Sequence, residues 1–391
     1  MIAMYKIKTL NKIAACGLNN FGANYTVSED EQNPDAIILR SFNMHETELP
    51  ESLKAIARAG AGTNNIPIDK CSEKGIVVFN TPGANANAVK ELAIAAMLLA
   101  SRDIIGGIDW AKTLDGEGDA IGKLVEKGKS NFAGTELMGK TLGVIGLGAI
   151  GVMLANSAYT LGMDVIGYDP FLSIDAAWGI SRHVTKSTDL KDMFAKCDYI
   201  SIHVPLNDNT RNMINAELFA AAKPGIKILN LARGGLVDED AIEAALENGT
   251  VSCYITDFPD ARVIGMKNTI AIPHLGASTE ESEDNCAIMA ARELIDYLEN
   301  GNIKNSVNFP ECSMPRSGKI RIAIAHRNVP NMINAFTGVL SENGTNIENF
   351  INKSKKSLAF TIIDTDGSIT DAQIEKFKAL DDVLSVTLIK D

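Results

Sequence analysis

The chain has 391 residues, of which 46% are hydrophobic and 22% charged, and its formal net charge is −12. This length allows two or three domains, and the composition is ordinary for a soluble α/β protein. The negative charge argues against nucleic acid or an anionic membrane as a partner. Six cysteines without a Cys-X-X-Cys pair and the lack of a signal-peptide core or membrane span predict a reduced, cytoplasmic protein without a metal site.

The first hundred residues alternate between short strands and helices. Apolar, β-branched runs predict strands at 36–41 and 75–80, and helices are predicted at 53–59 and 86–101. Later in the chain, strands are predicted at 199–204, 226–231 and 269–272, and a helix at 280–300 that returns to the first domain. Such alternation predicts a parallel sheet with helices on both faces.

A glycine-rich turn follows the apolar strand 142–145. Gly146 allows a tight turn, Gly148 lets backbone approach a pyrophosphate, and Gly151 lets the next helix pack against the strand. The free amides at the start of that helix are aimed at the phosphates. The pattern predicts a dinucleotide-binding unit.

Asp169 indicates which dinucleotide binds. It ends the next strand, eighteen residues after Gly151, where a carboxylate accepts a hydrogen bond from a ribose 2′-hydroxyl. The same carboxylate would repel a 2′-phosphate, and Pro170 and Phe171 supply no cation to bind one. We therefore predict NAD rather than NADP.

Two chemically active side chains follow later strands, at the edge where open α/β sheets bind ligands. Arg233 precedes two glycines and is placed to bind a carboxylate with its forked guanidinium. His274 follows another strand and can exchange a proton near neutral pH. His203 lies within a strand, which favours a packing role.

The last quarter of the chain predicts a linker and a small separate unit. Residues 305–319 contain two prolines and a Ser-Gly pair. The elements predicted after it are strand 320–325, helix 331–343, strands 347–353 and 357–363, helix 371–380 and strand 383–389. This βαββαβ order is the ferredoxin-like arrangement.

Together these motifs resemble the D-isomer-specific 2-hydroxyacid dehydrogenases. The glycine fingerprint with Asp169, Ala-Arg233-Gly-Gly, Pro-His274-Leu-Gly-Ala-Ser-Thr and Asn-Ser-Val-Asn-Phe-Pro at 305–310 carry the resemblance. It is greatest to members that oxidise D-3-phosphoglycerate and carry a C-terminal ACT domain. It implies two Rossmann-like doubly wound domains and a ferredoxin-like ACT domain. The implied domains are substrate-binding (1–98 and 275–304), NAD-binding (99–274), linker (305–319) and ACT (320–391).

The resemblance also implies the residues that act in catalysis and bind NAD. Arg233 and His274 match the family's catalytic pair, and Asp260 is the candidate acid beside His274, because no glutamate occurs between Glu247 and Glu280. A histidine held by backbone alone is the alternative. The implied cofactor-binding residues are Gly146, Gly148, Ala149, Ile150, Gly151, Asp169, His203, Val204, Pro205, Leu231, Ala232, Asp257 (on the nicotinamide carboxamide), His274 and Gly276.

For the substrate, the resemblance places Arg40 on the 3-phosphate and the amides of Gly60 and Ala61 on the carboxylate. Lys90 is a second candidate cation, although a surface lysine is the simpler interpretation. The full implied set is Arg40, Ser41, Gly60, Ala61, Asn85, Arg233 and His274.

In the C-terminal unit, His326, Asn328 and Asn346 match residues that hold L-serine across two ACT domains in serine-regulated relatives. This implies L-serine as an effector and a homodimer or homotetramer. Asn331 stands where glycine is usual, which is tolerable because Asn adopts left-handed backbone. The alternative is an ACT domain that only assembles subunits.

The activity implied is NAD-dependent oxidation of D-3-phosphoglycerate to 3-phosphohydroxypyruvate, the first step of L-serine biosynthesis. One alternative is a dehydrogenase or reductase for glycerate, hydroxypyruvate or glyoxylate, and a second is a dinucleotide-sensing corepressor on the same scaffold. Arg40 and the ACT unit argue against the first. The negative net charge argues against the second.

Overall fold

The computed structural model describes residues 5–342 and 344–390, and the chain divides into two compact units. The first unit combines residues up to Asn85 with those from Glu280 onward, and the second is Ala86–Thr279. The units divide after residues 85 and 279, whereas the predicted domain boundaries fall after residues 98 and 274. Val89, Ala93 and Met97 of the helix at 86–101 are buried in a core of the second unit, which explains the first difference.

The first unit begins with a five-stranded parallel sheet of order β2-β1-β3-β4-β5. Its elements are β1 (Tyr5–Leu10), α1 (Ala15–Leu18), β2 (Tyr25–Ser28), β3 (Ala36–Leu39), β4 (Ala55–Arg58), α2 (Ile68–Glu73) and β5 (Val77–Asn80). Strand β4 corrects the helix predicted over 53–59. Ala55, Ile56 and Ala57 are fully buried between β3 and β5, and a central parallel strand reads as a short continuous apolar run.

The second unit contains a seven-stranded parallel sheet of order β12-β11-β10-β9-β6-β7-β8. Its helices are α3 (Ala86–Ser101), α4 (Ile104–Lys112), α5 (Ile121–Gly128), α6 (Ala149–Thr160), α7 (Ile174–Gly179), α8 (Leu190–Lys196), α9 (Ala216–Ala221), α10 (Glu239–Glu247) and α11 (Ala261–Gly265). Its strands are β6 (Thr141–Ile145), β7 (Asp164–Tyr168), β8 (Val184–Lys186), β9 (Tyr199–Ile202), β10 (Ile226–Asn230), β11 (Val251–Thr256) and β12 (Thr269–Ala271). The strand order reverses between β6 and β9, where doubly wound sheets bind ligands.

The chain then returns to the first unit through the long helix α12 (Glu280–Asn300). The elements that follow are β13 (Ile320–Arg327), α13 (Met332–Ser341), β14 (Ile347–Lys355), β15 (Leu358–Thr365), α14 (Asp371–Lys378) and β16 (Val383–Lys390). Their strands form an antiparallel sheet of order β14-β15-β13-β16, which confirms the predicted ferredoxin-like fold. None of the described helices is long and apolar enough to cross a membrane.

Residues 305–319, predicted as a linker, are packed inside the first unit. Phe309, Cys312 and Met314 are buried in one core with Ile7 of the five-stranded sheet and Phe360 of the four-stranded sheet. The ring centroids of Phe309 and Phe360 lie 6.2 Å apart. The two sheets therefore share a hydrophobic core.

A buried arginine joins the same elements. Arg321 on β13 bonds to both carboxylate oxygens of Asp364, at 2.7 and 2.8 Å, and both side chains are fully buried. Its remaining N–H groups donate to the carbonyls of Asn300, Met314 and Pro315 at 2.8–3.0 Å. The guanidinium thus ties β13 to the end of α12 and to the segment predicted as a linker.

Candidate active site

The turn between β6 and α6 has the backbone geometry that its glycines require. Gly146 has φ +90°, and a Cβ there would lie 2.6 Å from the carbonyl oxygen of His203. A Cβ on Gly151 would lie 1.9 Å from the carbonyl oxygen of Gly146. At Gly148, the N-cap of α6, a Cβ would meet nothing within 4 Å. The turn is therefore tightly packed on its inner side and open where a phosphate would meet the amides at the start of α6, including those of Ala149 and Ile150.

Asp169 lies directly after β7 and is tied to the glycine turn. Its Oδ2 accepts from the Leu147 N–H and its Oδ1 from the Phe171 N–H, both at 2.8 Å. A carboxylate oxygen has a second lone pair, so both oxygens can still accept from a ribose hydroxyl. The open turn and the adjoining acid fit a dinucleotide whose ribose carries no phosphate.

The loop after β10, which carries Leu231, Ala232 and Arg233, is fixed by Asn230. This residue is 1% exposed, and its side-chain amide donates to the Arg233 carbonyl at 2.8 Å while its Oδ1 accepts from the Ala232 N–H at 3.3 Å. The exposed Arg233 guanidinium donates to the Ala232 carbonyl at 2.7 Å. The sequence alone did not indicate this role for Asn230. An amide side chain at the end of an apolar strand was the available signal.

The Phe258 ring lies near both His274 and Arg233. The ring centroids of Phe258 and His274 are 4.9 Å apart, and the Arg233 guanidinium carbon lies 6.0 Å from the Phe258 centroid. His274 itself has φ +53°, an uncommon backbone conformation for a non-glycine residue. The local sequence pattern around Phe258 does not show which side chains its ring contacts, so this position was not predicted.

Asp257 holds the turn that carries His274. It is 1% exposed, and its two oxygens accept from the N–H groups of Leu275 and Gly276, each at 2.7 Å. A Cβ on Gly276 would lie 2.9 Å from the same carboxylate. Asp257 therefore positions the turn that carries His274, and its expected contact with a nicotinamide carboxamide stays a prediction.

Asp260 does not partner His274. Its carboxylate caps α11, accepting from the N–H groups of Arg262 and Val263 at 2.9 and 2.8 Å. The Asp260 carboxyl also lies near Glu239, and burial together with this neighbouring acid raises the pKa of the Glu239 carboxyl. Among the described residues no carboxylate hydrogen-bonds to the His274 ring. The expected pairing fails because the short side chain is used by the helix cap.

His203, Val204 and Pro205 follow β9, beside the glycine turn. The His203 Nε2 lies 2.8 Å from the Ser201 Oγ, and burial lowers the pKa of the His203 ring to about 4, so it is neutral at pH 7. The predicted cofactor residues thus lie at the carboxyl ends of β6, β7, β9 and β10, which are neighbouring strands. The other predicted cofactor residues, Asp257, His274 and Gly276, follow β11 and β12 at the same edge of the sheet.

The residues predicted for the substrate phosphate and carboxylate lie in the first unit. Arg40 follows β3, and its Nη1 pairs with the Glu283 Oε1 of α12 at 2.6 Å. The Arg58 Nε donates to the Arg40 carbonyl at 2.9 Å, and Gly60 and Ala61 follow β4 directly. These groups lie at the carboxyl ends of adjacent strands. Among the remaining predicted positions, the Ser41 N–H donates to the Asn11 Oδ1 at 3.2 Å. Asn85 is the last residue of the first unit before the chain enters the second. Lys90 lies on α3 of the second unit, with its Nζ 3.6 Å from the Glu91 carboxylate.

The predicted effector residues are not gathered within one chain. The His326 side chain is buried, with Nδ1 2.8 Å from the Arg327 carbonyl and Nε2 2.9 Å from the Thr361 Oγ1. Both ring nitrogens therefore have partners within the chain, and the expected contact of His326 with L-serine stays a prediction. Asn328 donates to the Lys356 carbonyl at 3.0 Å. Asn346 precedes β14 at the opposite end of the sheet, and Asn331 has the expected left-handed φ of +71°.

A parallel doubly wound sheet with this turn and this acid defines a dinucleotide-binding domain. Residues 94–276 match the sequence profile "D-isomer specific 2-hydroxyacid dehydrogenase, NAD binding domain". The chain is 30% identical to the D-3-phosphoglycerate dehydrogenase of Escherichia coli, an alignment that covers 98% of this chain and 95% of that protein. The chain therefore belongs to the D-isomer specific 2-hydroxyacid dehydrogenase family, and its second unit is the family's NAD-binding domain.

Two further comparisons agree with this membership. The D-3-phosphoglycerate dehydrogenase of Methanocaldococcus jannaschii is 36% identical over 75% of this chain and 55% of its own length. The chain spans about half the length of this and several other curated relatives. The crystal structure of NAD⁺-bound 3-phosphoglycerate dehydrogenase from Entamoeba histolytica superposes with a TM-score of 0.60 at 29% identity, covering 78% of this chain and 99% of that one.

Proposed function

We propose that the chain oxidises D-3-phosphoglycerate to 3-phosphohydroxypyruvate with NAD, the first step of L-serine biosynthesis. The observation that carries the proposal is the placement of Arg233 and His274 near the same phenylalanine, Phe258, at the edge of the sheet that also carries the dinucleotide turn. The near full-length likeness to the Escherichia coli enzyme supports the choice of substrate.

The bound NAD supplies the hydride acceptor, and the chain's own residues supply the rest. The neutral His274 ring takes the proton of the C2 hydroxyl, and in reduction the imidazolium returns it. Arg233 binds the substrate carboxylate and the C2 oxygen through its forked donors. No carboxylate among the described residues hydrogen-bonds to the His274 ring, so Asp257 and Phe258 position this ring. Asp257 holds the turn that carries His274 through two backbone amides, and Phe258 packs against the imidazole.

Preference for NAD over NADP rests on Asp169. A 2′-phosphate beside this carboxylate would cost roughly 1–4 kcal/mol of like-charge repulsion at surface-like dielectric. The two N–H groups that bind its oxygens hold the carboxylate in place. The side chain therefore cannot turn away at low cost.

The substrate phosphate is assigned to Arg40, whose guanidinium already pairs with a carboxylate, that of Glu283. A phosphate is a comparable forked acceptor with a greater charge. The first unit would therefore exchange one anionic partner of Arg40 for another. A substrate without phosphate gains nothing from this residue.

For regulation and assembly, we propose that two chains pair through their C-terminal sheets and bind L-serine between them. One chain would supply Asn328 and the start of α13, and Asn346 of the partner subunit would complete the site, because the two asparagines lie at opposite ends of the sheet within one chain. The six unpaired cysteines support a reducing, cytoplasmic location.

The test is NADH formation from D-3-phosphoglycerate, D-glycerate and other 2-hydroxy acids, with and without L-serine. We expect the phosphorylated substrate to have the highest kcat/KM and Arg40→Met to raise its KM while leaving D-glycerate unchanged. Equal kcat/KM for D-glycerate, with no effect of Arg40→Met, would assign the chain to the glycerate or glyoxylate group. Absence of turnover on every 2-hydroxy acid would refute an enzymatic role.

A further inference from the structure

A second concave site lies in the first unit, along one face of α12. Its volume is about 580 Å³, within the usual range for small-molecule sites. Asn285, Met289, Arg292, Glu293 and Asp296 line it, and their spacing of three or four residues places them on one side of the helix. None of these residues belongs to the proposed NAD, substrate or L-serine sites.

The floor of this cleft holds an incompletely bonded acid. Glu293 is 8% exposed, and its Oε1 accepts from the Asn305 Nδ2 at 2.8 Å. Its Oε2 is buried and has no hydrogen-bond partner among the described residues. Buried polar atoms in folded proteins are almost always hydrogen-bonded. The geometry points to a donor that a ligand would supply.

The rim of the cleft carries two cations. Arg292 and Lys304 are both exposed and line the cleft, and neither forms an ion pair within the described part of the chain. Asp296, by contrast, already accepts from the side-chain amides of Asn300 and Asn302 at 3.0 and 2.9 Å. The lining of the cleft therefore combines one buried acid with two cations that have no anionic partner among the described residues.

We propose that this cleft binds a free α-amino acid, with its ammonium group on the Glu293 Oε2 and its carboxylate on Arg292 and Lys304. A divalent metal is disfavoured, because the described residues contain no group of three or more His, Cys, Asp or Glu side chains placed to hold one. A simple amine would leave both cations without a partner, and a simple carboxylate would leave the acid without one. The inference does not depend on the proposed dehydrogenase activity.

The test begins with a thermal-shift screen of the 391-residue protein against each standard L-amino acid, with ethylamine and acetate as probes that carry only one of the two charges. Any amino acid that raises Tm is then titrated by calorimetry at pH 7 in two buffers of different ionisation enthalpy. Burial raises the pKa of the Glu293 carboxyl to about 8, so most molecules hold a proton there at pH 7. Binding of an ammonium group should release that proton, which the two buffers measure.

Glu293→Gln should weaken binding about tenfold or more and abolish the proton release. Arg292→Met, on an exposed residue that does not threaten folding, should weaken amino-acid binding without changing the proton release. Glu281→Gln, on an exposed residue of the same helix outside the cleft, is the matched control and should bind as the wild type does. Asn346→Ala should also leave binding unchanged, which separates this site from the proposed L-serine site.

Three results would overturn the proposal. The first is no stabilisation by any standard amino acid at about 10 mM, where a millimolar site would raise Tm measurably. The second is unchanged affinity and proton release in Glu293→Gln. The third is equal affinity for ethylamine, which would show that the two cations contribute nothing.

Discussion

Glu293→Gln should change how the stability of the protein depends on pH. Burial raises the pKa of the Glu293 carboxyl from its ordinary value of 4.5 to about 8. The unfolded chain therefore releases this proton near pH 4.5, whereas the folded chain holds it until about pH 8. The folded state binds more protons across that window, so the wild-type protein loses stability as the pH rises from about 4.5 to 8 and no further above it.

The size of the effect follows from the same two values. Each tenfold change in proton affinity corresponds to about 1.4 kcal/mol, so ionising Glu293 in the folded protein costs up to about 5 kcal/mol. With the side chain only 8% exposed, solvent screening reduces this little. A glutamine keeps the acceptor for Asn305 and cannot ionise. At pH 5 the two proteins should differ by less than about 1 kcal/mol, and at pH 9 the variant should be more stable by several kcal/mol.

The assay is urea denaturation from pH 5 to 9, with the free energy of unfolding of the wild type subtracted from that of the variant at each pH. The subtraction removes the titration of all other groups that lie far from Glu293. Glu281→Gln, on the exposed first turn of the same helix, should give a difference that does not vary with pH. Parallel curves for the wild type and Glu293→Gln would refute the account of this buried carboxyl.

Three further substitutions test other contacts. Asp169→Ala should narrow an NAD-over-NADP preference of about tenfold or more in kcat/KM, and equal use of both cofactors by the wild type would contradict the assignment. His274→Asn should lower kcat by about 10²-fold or more. Asp260→Ala should cost about 1 kcal/mol of stability as a lost helix cap and leave the pH profile of kcat unchanged. A loss of kcat in Asp260→Ala as large as that in His274→Asn would restore Asp260 as the catalytic acid. Arg321→Met should cost about 3–5 kcal/mol in urea denaturation by leaving Asp364 buried and unpaired, and adding Asp364→Leu should recover most of that loss.

The dinucleotide turn could be predicted from sequence because its determinants are local. Gly146 needs a positive φ, and Gly151 needs room beside the Gly146 carbonyl. Both requirements follow from residues within one strand, one turn and one helix. The strand at Ala55–Arg58 could not be predicted in the same way. Its alanines favour a helix by intrinsic propensity, and only burial between two neighbouring strands determines its structure.

The acid beside His274 shows the same limit within the site. Asp257 and Asp260 lie only three residues apart in sequence, and both are short acids after a strand. The structure separates them by their backbone partners: Asp257 accepts from the amides just after His274, and Asp260 accepts from the first turn of α11. The bonds of Asp257 join segments 18 and 19 residues apart, which a single sequence does not specify.

The packing of residues 305–319 was missed for a different reason, since their prolines and polar residues do have the composition of a linker. The better signal lies in β13, where both faces of the strand are apolar. Ile322 and Ile324 face the helices of the four-stranded sheet, while Ala323 and Ala325 face the core that this sheet shares with the five-stranded sheet. A strand with one solvated face would alternate apolar with polar residues. Arg321 alternates with these alanines and so belongs to the covered face, where a charge is stable only with a full set of partners. A lone arginine among small residues on such a strand therefore predicts that carbonyls and a carboxylate surround it, and that the neighbouring segment is not exposed.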